Sequence, residues 1–368
     1  MDIHFINLRA KLDYDHPISE SRLISSVNIE TDNGRVVIAD ELTLTCTEQD
    51  FFTYAAFYEW DKMNIKKMRI YEKGYLPKPF VQAILHMYKM KTELKDVEGE
   101  EINYMISKNM LNSAYGMAVT DIVRDIIEYE NDEFSTTKPN LNEAISVYNK
   151  NKNRFLFYPW GVWVTAYARA NLFSGICACG NDYIYCDTYS IKIVNPLNHM
   201  NYIESYNKQI LVKLKAAADF HGLDFNDFSP LNKNGKPKPI GVWDFEGIYD
   251  EFKTIGAKRY MYRKGSTYNI TIAGLNKLSA REYILQHFKN PFDALADGLN
   301  VPASHSGRLT LTYMDESCTG VVEDYQGNRA EFHEESYIHM EPSEYTLTLS
   351  DSYKAFLNKL LGVKDISW

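Results

Sequence analysis

Disulfide and zinc frameworks are the first things missing. The five cysteines, Cys46, Cys177, Cys179, Cys186 and Cys318, are odd in number and include no Cys-x-x-Cys pair. That pattern argues for reduced thiols. No stretch reaches the roughly 18 uninterrupted apolar residues of a membrane span, and the N-terminus lacks the apolar core of a secretion signal. The expectation is a protein that stays in the cytoplasm where it is made and has no membrane partner. Positive charge is also short, with 40 Lys and Arg against 49 Asp and Glu and a net charge of −9. Nucleic-acid affinity comes largely from neutralising phosphates and releasing counterions, so an acidic chain that binds DNA must gather its cations locally. Internal repeats and low-complexity segments are absent.

Apolar and aromatic residues are abundant. They include 27 Tyr and 18 Phe, and 45% of the 368 residues are hydrophobic, enough to build cores for two or three domains. Cations gather at Lys62, Lys66, Lys67 and Arg69, at Lys150, Lys152 and Arg154, at Lys233, Lys236 and Lys238, and at Lys253, Lys258, Arg259, Arg263 and Lys264. Each group reads as an ordinary solvated face or as a phosphate contact, and the last two groups are the better placed for DNA.

Two segments carry more information. In Lys108-Asn109-Met110-Leu111-Asn112-Ser113-Ala114-Tyr115-Gly116, residues 108, 112 and 115 recur at i, i+4 and i+7 and therefore share one helix face. A cation, an amide and a phenol on one stripe suit a triphosphate, a sugar edge and a base. The alternative is a solvated helix face. Gly116 suits a left-handed helix end. Further on, Tyr183-Ile184-Tyr185-Cys186-Asp187-Thr188-Tyr189-Ser190-Ile191 alternates as two short strands around Asp187-Thr188. With an extended turn, residues 187 and 189 project the same way. Asp187 also reads as a plain turn residue.

Together the two segments resemble motifs B and C of family B DNA polymerases of the protein-primed bacteriophage type. A third stretch supports the resemblance. Ile240-Gly241-Val242-Trp243-Asp244-Phe245-Glu246 leads through Lys253 to Lys258-Arg259-Tyr260 and then Ala273-Gly274-Leu275, similar to the family's Lys-x-Tyr region. The helix read over 158–169 resembles the one preceding motif C, and an amphipathic, buried helix is its structural reading. The resemblance implies an α+β fold with a palm of antiparallel strands and helices, helical fingers and a small thumb-like C-terminal domain. It implies palm strands over 1–77, with an Asn33-Gly34 hairpin turn, and fingers over 78–116. A processivity-type insertion comes next over 117–158, then more palm over 159–275 and the thumb-like part over 276–368. The last region is read as a helix over 280–288, β structure over 308–348 with a tight turn at 324–328, and a helix over 353–361.

The resemblance also assigns roles. Lys108 meets the phosphates of the incoming nucleotide and Tyr115 its sugar, with Asn112 beside them. Lys258 and Tyr260, flanked by Lys253 and Arg259, hold DNA as a primer-template or single strand. Asp187 is the catalytic carboxylate and a ligand of Mg²⁺. Here the family pattern breaks, because Tyr189 stands where active relatives have a second aspartate and no Asp-x-x-Ser-Leu-Tyr-Pro motif A occurs. The chain is read as beginning downstream of motif A, and Asp2 lacks that motif's context. Two readings result, both in DNA replication in the host cytoplasm of a phage-infected bacterium. One is a polymerase subunit whose nucleotidyl transfer is completed by a second chain; the other is an inactive polymerase-fold protein that binds DNA or partners. A palm without the motif A strand leaves the edge of the 183–194 hairpin open, which favours a partner chain or self-association over local cover by residues 3–9.

Overall fold

The computed structural model describes residues 1–12, 15–32, 34–130, 133–152, 154–349 and 354. It is an α+β protein whose described strands all pair antiparallel, arranged in two compact units, Met1–Phe245 and Glu246–Trp368. No helix among the described residues is long and apolar enough to cross a membrane.

In the first unit, β1 (Asp2–Ala10), β2 (Leu23–Asp32) and β3 (Arg35–Thr45) precede α1 (Glu48–Phe57), β4 (Tyr58–Glu59) and β5 (Lys62–Lys67). The strands form one sheet in the order β2-β3-β1-β4, with β5 also on β1. β2 and β3 pair from Leu23 opposite Leu44 to Asp32 opposite Arg35, and Gly34 in their turn has φ +72°. Asn33, the other expected turn residue, lies outside the described residues. Strict alternation fails within β1. Ile3 and Phe5 face the core and so does Leu8, because Asn7 between them adopts φ +54° and reverses the inward set. These residues pack with Val36, Leu42 and Leu44 of β3 and with Tyr54 and Phe57 of α1. Burying each such side chain is worth about 1.5–3 kcal/mol. A capping box starts α1: Thr47 accepts from the Asp50 amide and Asp50 accepts from the Thr47 amide, both at 3.2 Å.

The helical hairpin expected over 78–116 is present as α2 (Lys78–Leu94) and α3 (Glu101–Ser113). Residues 117–158 contain a small hairpin, β6 (Ile126–Glu130) and β7 (Glu133–Thr137), and α4 (Leu141–Lys150). The helix read over 158–169 continues to Cys179 as α5 (Tyr158–Cys179). Its inner side is buried at Ala166, Ile176 and Cys179, whereas its outer side exposes Val164 and Tyr167, so it is apolar on both sides and lacks the expected amphipathic division. Gly161 lets α5 approach the turn after α3, since a Cβ there would lie 2.1 Å from Val119 Cγ1. A bidentate ion pair, Arg169 Nε to Asp50 Oδ1 at 2.9 Å and Nη2 to Oδ2 at 3.1 Å, ties α5 to α1. α5 delivers the chain into β8 (Tyr183–Asp187) and β9 (Ser190–Ile193), and then into α6 (Met200–His221).

The second unit opens with a three-stranded meander, β10 (Glu251–Thr254), β11 (Arg259–Lys264) and β12 (Thr267–Ile272), and continues through α7 (Lys277–His287), β13 (Asn300–Val301) and α8 (Ala303–Ser306). The sequence reading groups residues 246–275 with 159–245. In the structure these strands share a core with the C-terminal residues of their own unit: Met261, Ile270 and Ile272 pack against Ile284, Leu295, Val301, Tyr345 and Leu347. The β region is a two-stranded ribbon in which β14 (Arg308–Met314) pairs β17 (Tyr337–Ser343) and β15 (Cys318–Glu323) pairs β16 (Arg329–Glu334). β18 (Tyr345–Thr346) returns to β13. At the ribbon tip Asp324 accepts from the amides of Gln326 and Asn328, and Gly327 takes φ +84°, as the turn pattern requires. The helix expected over 353–361 lies outside the described residues except for Lys354, whose ammonium pairs with Asp297 at 2.6 Å.

Candidate functional site

α2 and α3 run antiparallel around a tight connection in which Gly99 has φ +84°. Lys108 and Asn112 sit one turn apart on α3. The helix ends at Ser113, yet Tyr115 keeps helical dihedrals (φ −75°, ψ −34°), so the three-residue stripe survives the helix end. Gly116 differs from the sequence reading. It opens a 3-10 turn over Gly116–Val119 and does not take positive φ, because the chain winds tighter here and does not reverse. Lys108 is half-buried, with its ammonium 5.8 Å from the centre of the Tyr104 ring, while Asn112 and Tyr115 face solvent.

The facing helix adds further cations. Lys91 is half-buried with its ammonium 5.7 Å from the Tyr88 ring centre. Its pKa is lowered, first by burial and then by the positive charges of Lys95 and Lys108. Two ammonium groups, Lys95 one turn along the same helix and Lys108 on the facing one, thus crowd that of Lys91, with no carboxylate among the influences on it. Such an arrangement is relieved by a polyanion. The hairpin is held from behind, where the Tyr88 hydroxyl donates to Lys238 O at 3.0 Å and Lys233 Nζ donates to Asp96 O at 2.8 Å. These contacts make the cluster at 233–238 partly a structural clamp, and Lys238 also pairs with Asp244.

β8 and β9 form the expected second motif, but its turn is not extended. The Tyr189 amide donates to Asp187 O at 2.6 Å while Thr188 takes φ +55°, a γ-turn. The positive-φ form of this turn is rare and strained, more so on a β-branched residue. Tyr189 is 74% exposed and Asp187 half-buried, so the parallel projection of 187 and 189 is lost at this turn. The Thr188 hydroxyl donates to Asp187 Oδ1 at 3.0 Å. The strand alternation also shifts: a bulge between Tyr183 and Tyr185 lets Tyr183 and Cys186 both pack on the sheet core, together with Ile191. Among the described strands nothing pairs beside this hairpin, and residues 3–9 are engaged with β3, β4 and β5. Asp2 bonds the Thr45 hydroxyl at 2.6 Å.

A second carboxyl, Asp15, sits at the foot of the hairpin, where the Tyr183 hydroxyl donates to it. Burial pushes its pKa up against the opposing effects of Tyr183, His16 and Arg35. The same burial drives Tyr183 up and holds the Cys186 thiol up to about 11. Sequence reading missed this network because nothing in local spacing links residue 15 to residue 183. No three His, Cys, Asp or Glu side chains among the described residues converge as a metal centre. Magnesium prefers several oxygen ligands in near-octahedral array. Asp187 beside an exposed phenol is a poor fit to a two-ion site.

In the second unit the four expected DNA contacts divide. Lys258 is exposed at a turn with φ +56°. Tyr260 is half-buried and its ring stacks on Phe252, centroids 5.7 Å apart. Arg259 reaches Thr348 O at 3.3 Å. Lys253 points into the unit and donates to Phe292 O at 2.9 Å, and burial lowers its pKa. That commits the Lys253 ammonium to holding its own unit, against the sequence expectation.

No family model, curated protein or solved structure matches this chain.

Proposed function

We propose that this chain is a family B DNA polymerase-type replication protein of the protein-primed phage kind. In this reading the β1–β5 sheet, α5 and the β8–β9 hairpin are palm, α2 and α3 are fingers, and the second unit is thumb-like. It grips the triphosphate of an incoming nucleotide and the phosphates of DNA. Template-directed transfer requires carboxylates from another chain. The observation that carries the reading is the gathering of Lys95 and Lys108 around the half-buried Lys91, with Asn112 and Tyr115 following Lys108 along the same two-helix hairpin. Lysines neutralise phosphate as point charges, and a neighbouring phenol stacks on or excludes a sugar.

Nucleotide binding is tested by titrating a fluorescent deoxynucleoside triphosphate at two salt concentrations. Lys108→Ala and Lys91→Ala each weaken binding by about 1–3 kcal/mol if these are charge-assisted contacts. Affinity that is unchanged in both variants, or insensitive to salt, removes the basis for the reading. A second reading, an inactive polymerase-fold protein, is favoured by Asp187 standing with Tyr189 at the hairpin tip. Primer extension separates the two. The chain alone incorporates nothing with Mg²⁺ or Mn²⁺, and Tyr189→Asp does not rescue it. Incorporation on adding a motif A-bearing partner supports the first reading, and continued inactivity with that partner supports the second.

A further inference from the structure

The ribbon β14–β17 is solvent-exposed on both faces along most of its length. Leu309, Leu311, Ile338 and Met340 alternate on one face, and each is more than half exposed. An isolated two-stranded ribbon is marginal in water, and an apolar face of this kind normally has a cover. Charge decides which cover fits. Residues 308–343 carry eight Asp and Glu against two Arg. That repels nucleic acid, and it repels the same ribbon in another copy. The complementary surface is elsewhere on the same chain. β5 is the outer strand on its side of the sheet, bonded to β1, and no other described strand pairs with it. Residues 62–70, Lys-Met-Asn-Ile-Lys-Lys-Met-Arg-Ile, hold four cations and no carboxylate, with Ile65, Met68 and Ile70 exposed at 48%, 61% and 85%. Lysines guard an open edge against non-specific pairing while leaving it open to an acidic strand.

We infer that the acidic ribbon of one copy docks on the basic β5 edge of a second copy, so that the chain self-associates through two unlike surfaces. An interface between unlike surfaces closes when each copy offers both to the other, and forms a chain when it does not. Both arrangements need the same pair of surfaces.

Analytical ultracentrifugation of the full chain tests this. At tens of micromolar and low salt it sediments as a dimer or larger, and 0.5 M salt weakens the association at least tenfold. Lys66→Glu with Lys67→Glu, or Glu331→Lys with Glu334→Lys, leaves monomers, and mixing the two charge-reversed proteins restores association. Leu311→Asn with Met340→Asn, changed at exposed positions, also gives monomers with an unaltered circular dichroism spectrum. A monomer at low salt overturns the inference, and so does association that survives both reversals or a mixture that fails to re-associate.

Discussion

Arg169→Ala offers the sharpest test of how the fold positions the candidate site. The Arg169 side chain is 27% exposed and that of Asp50 only 7%, so the substitution strands a nearly buried carboxylate. Breaking a buried pair costs about 3–5 kcal/mol and an exposed one about 0–1; partial exposure of the arginine sets the expectation at about 2–4 kcal/mol. Asp50→Ala also removes a helix cap worth about 1 kcal/mol, so it should cost more, about 3–5 kcal/mol. Replacing both by Ala should cost less than the sum, with a coupling of about 0.5–3 kcal/mol, because no charge is then left unpaired. Urea unfolding monitored by tryptophan fluorescence reads this directly, since Trp60, Trp160, Trp163 and Trp243 all lie in the Met1–Phe245 unit. A loss below about 1 kcal/mol for Arg169→Ala, or strict additivity in the cycle, refutes the claim that this pair holds α5, and with it the β8–β9 hairpin, against α1.

Gly161→Ala should cost about 1–3 kcal/mol by overpacking against the stiff Val119 side chain, and Gly161→Ala combined with Val119→Ala should recover most of it; equal losses in the single and double variants in a thermal melt would contradict this. Thr188→Gly should stabilise the first unit by about 0.5–1 kcal/mol, since a non-glycine residue in the left-handed region costs about 1–2 kcal/mol and glycine returns part of the gain as entropy; a lower melting temperature would show that the turn is not strained. Asp15→Asn has a pH signature. The folded-state pKa lies above the ordinary value of 3.8, so wild-type stability is undiminished below that value, falls as pH rises through the raised pKa, and carries the full penalty above it. The melting temperature of Asp15→Asn relative to wild type should therefore climb between pH 3.5 and pH 7, and a flat or falling difference would invert the assignment.

How much of this was legible in the sequence depends on the range of the forces involved. The α2–α3 hairpin and the lysine-asparagine-tyrosine stripe rest on helical periodicity, which is local, and they stand where periodicity puts them. The 324–328 turn likewise rests on Asp324 and Gly327 within five residues. The misreadings sit where tertiary demands override local preference. Thr188 is driven into positive φ, and a bulge at 183–185 turns Tyr183 and Cys186 toward the same core. Pattern reading has no term for a core that must be filled from both sides of a short strand. Lys253 shows the same limit for charge: a cation in a basic run reads as a phosphate ligand until the Phe292 carbonyl captures it. Lys91 shows the converse, because Lys108 is brought to it only by the packing of α2 on α3, whereas Lys95 follows it by one helical turn. The charge crowding on which the proposed nucleotide site rests is therefore completed by helix packing, after the hairpin has folded.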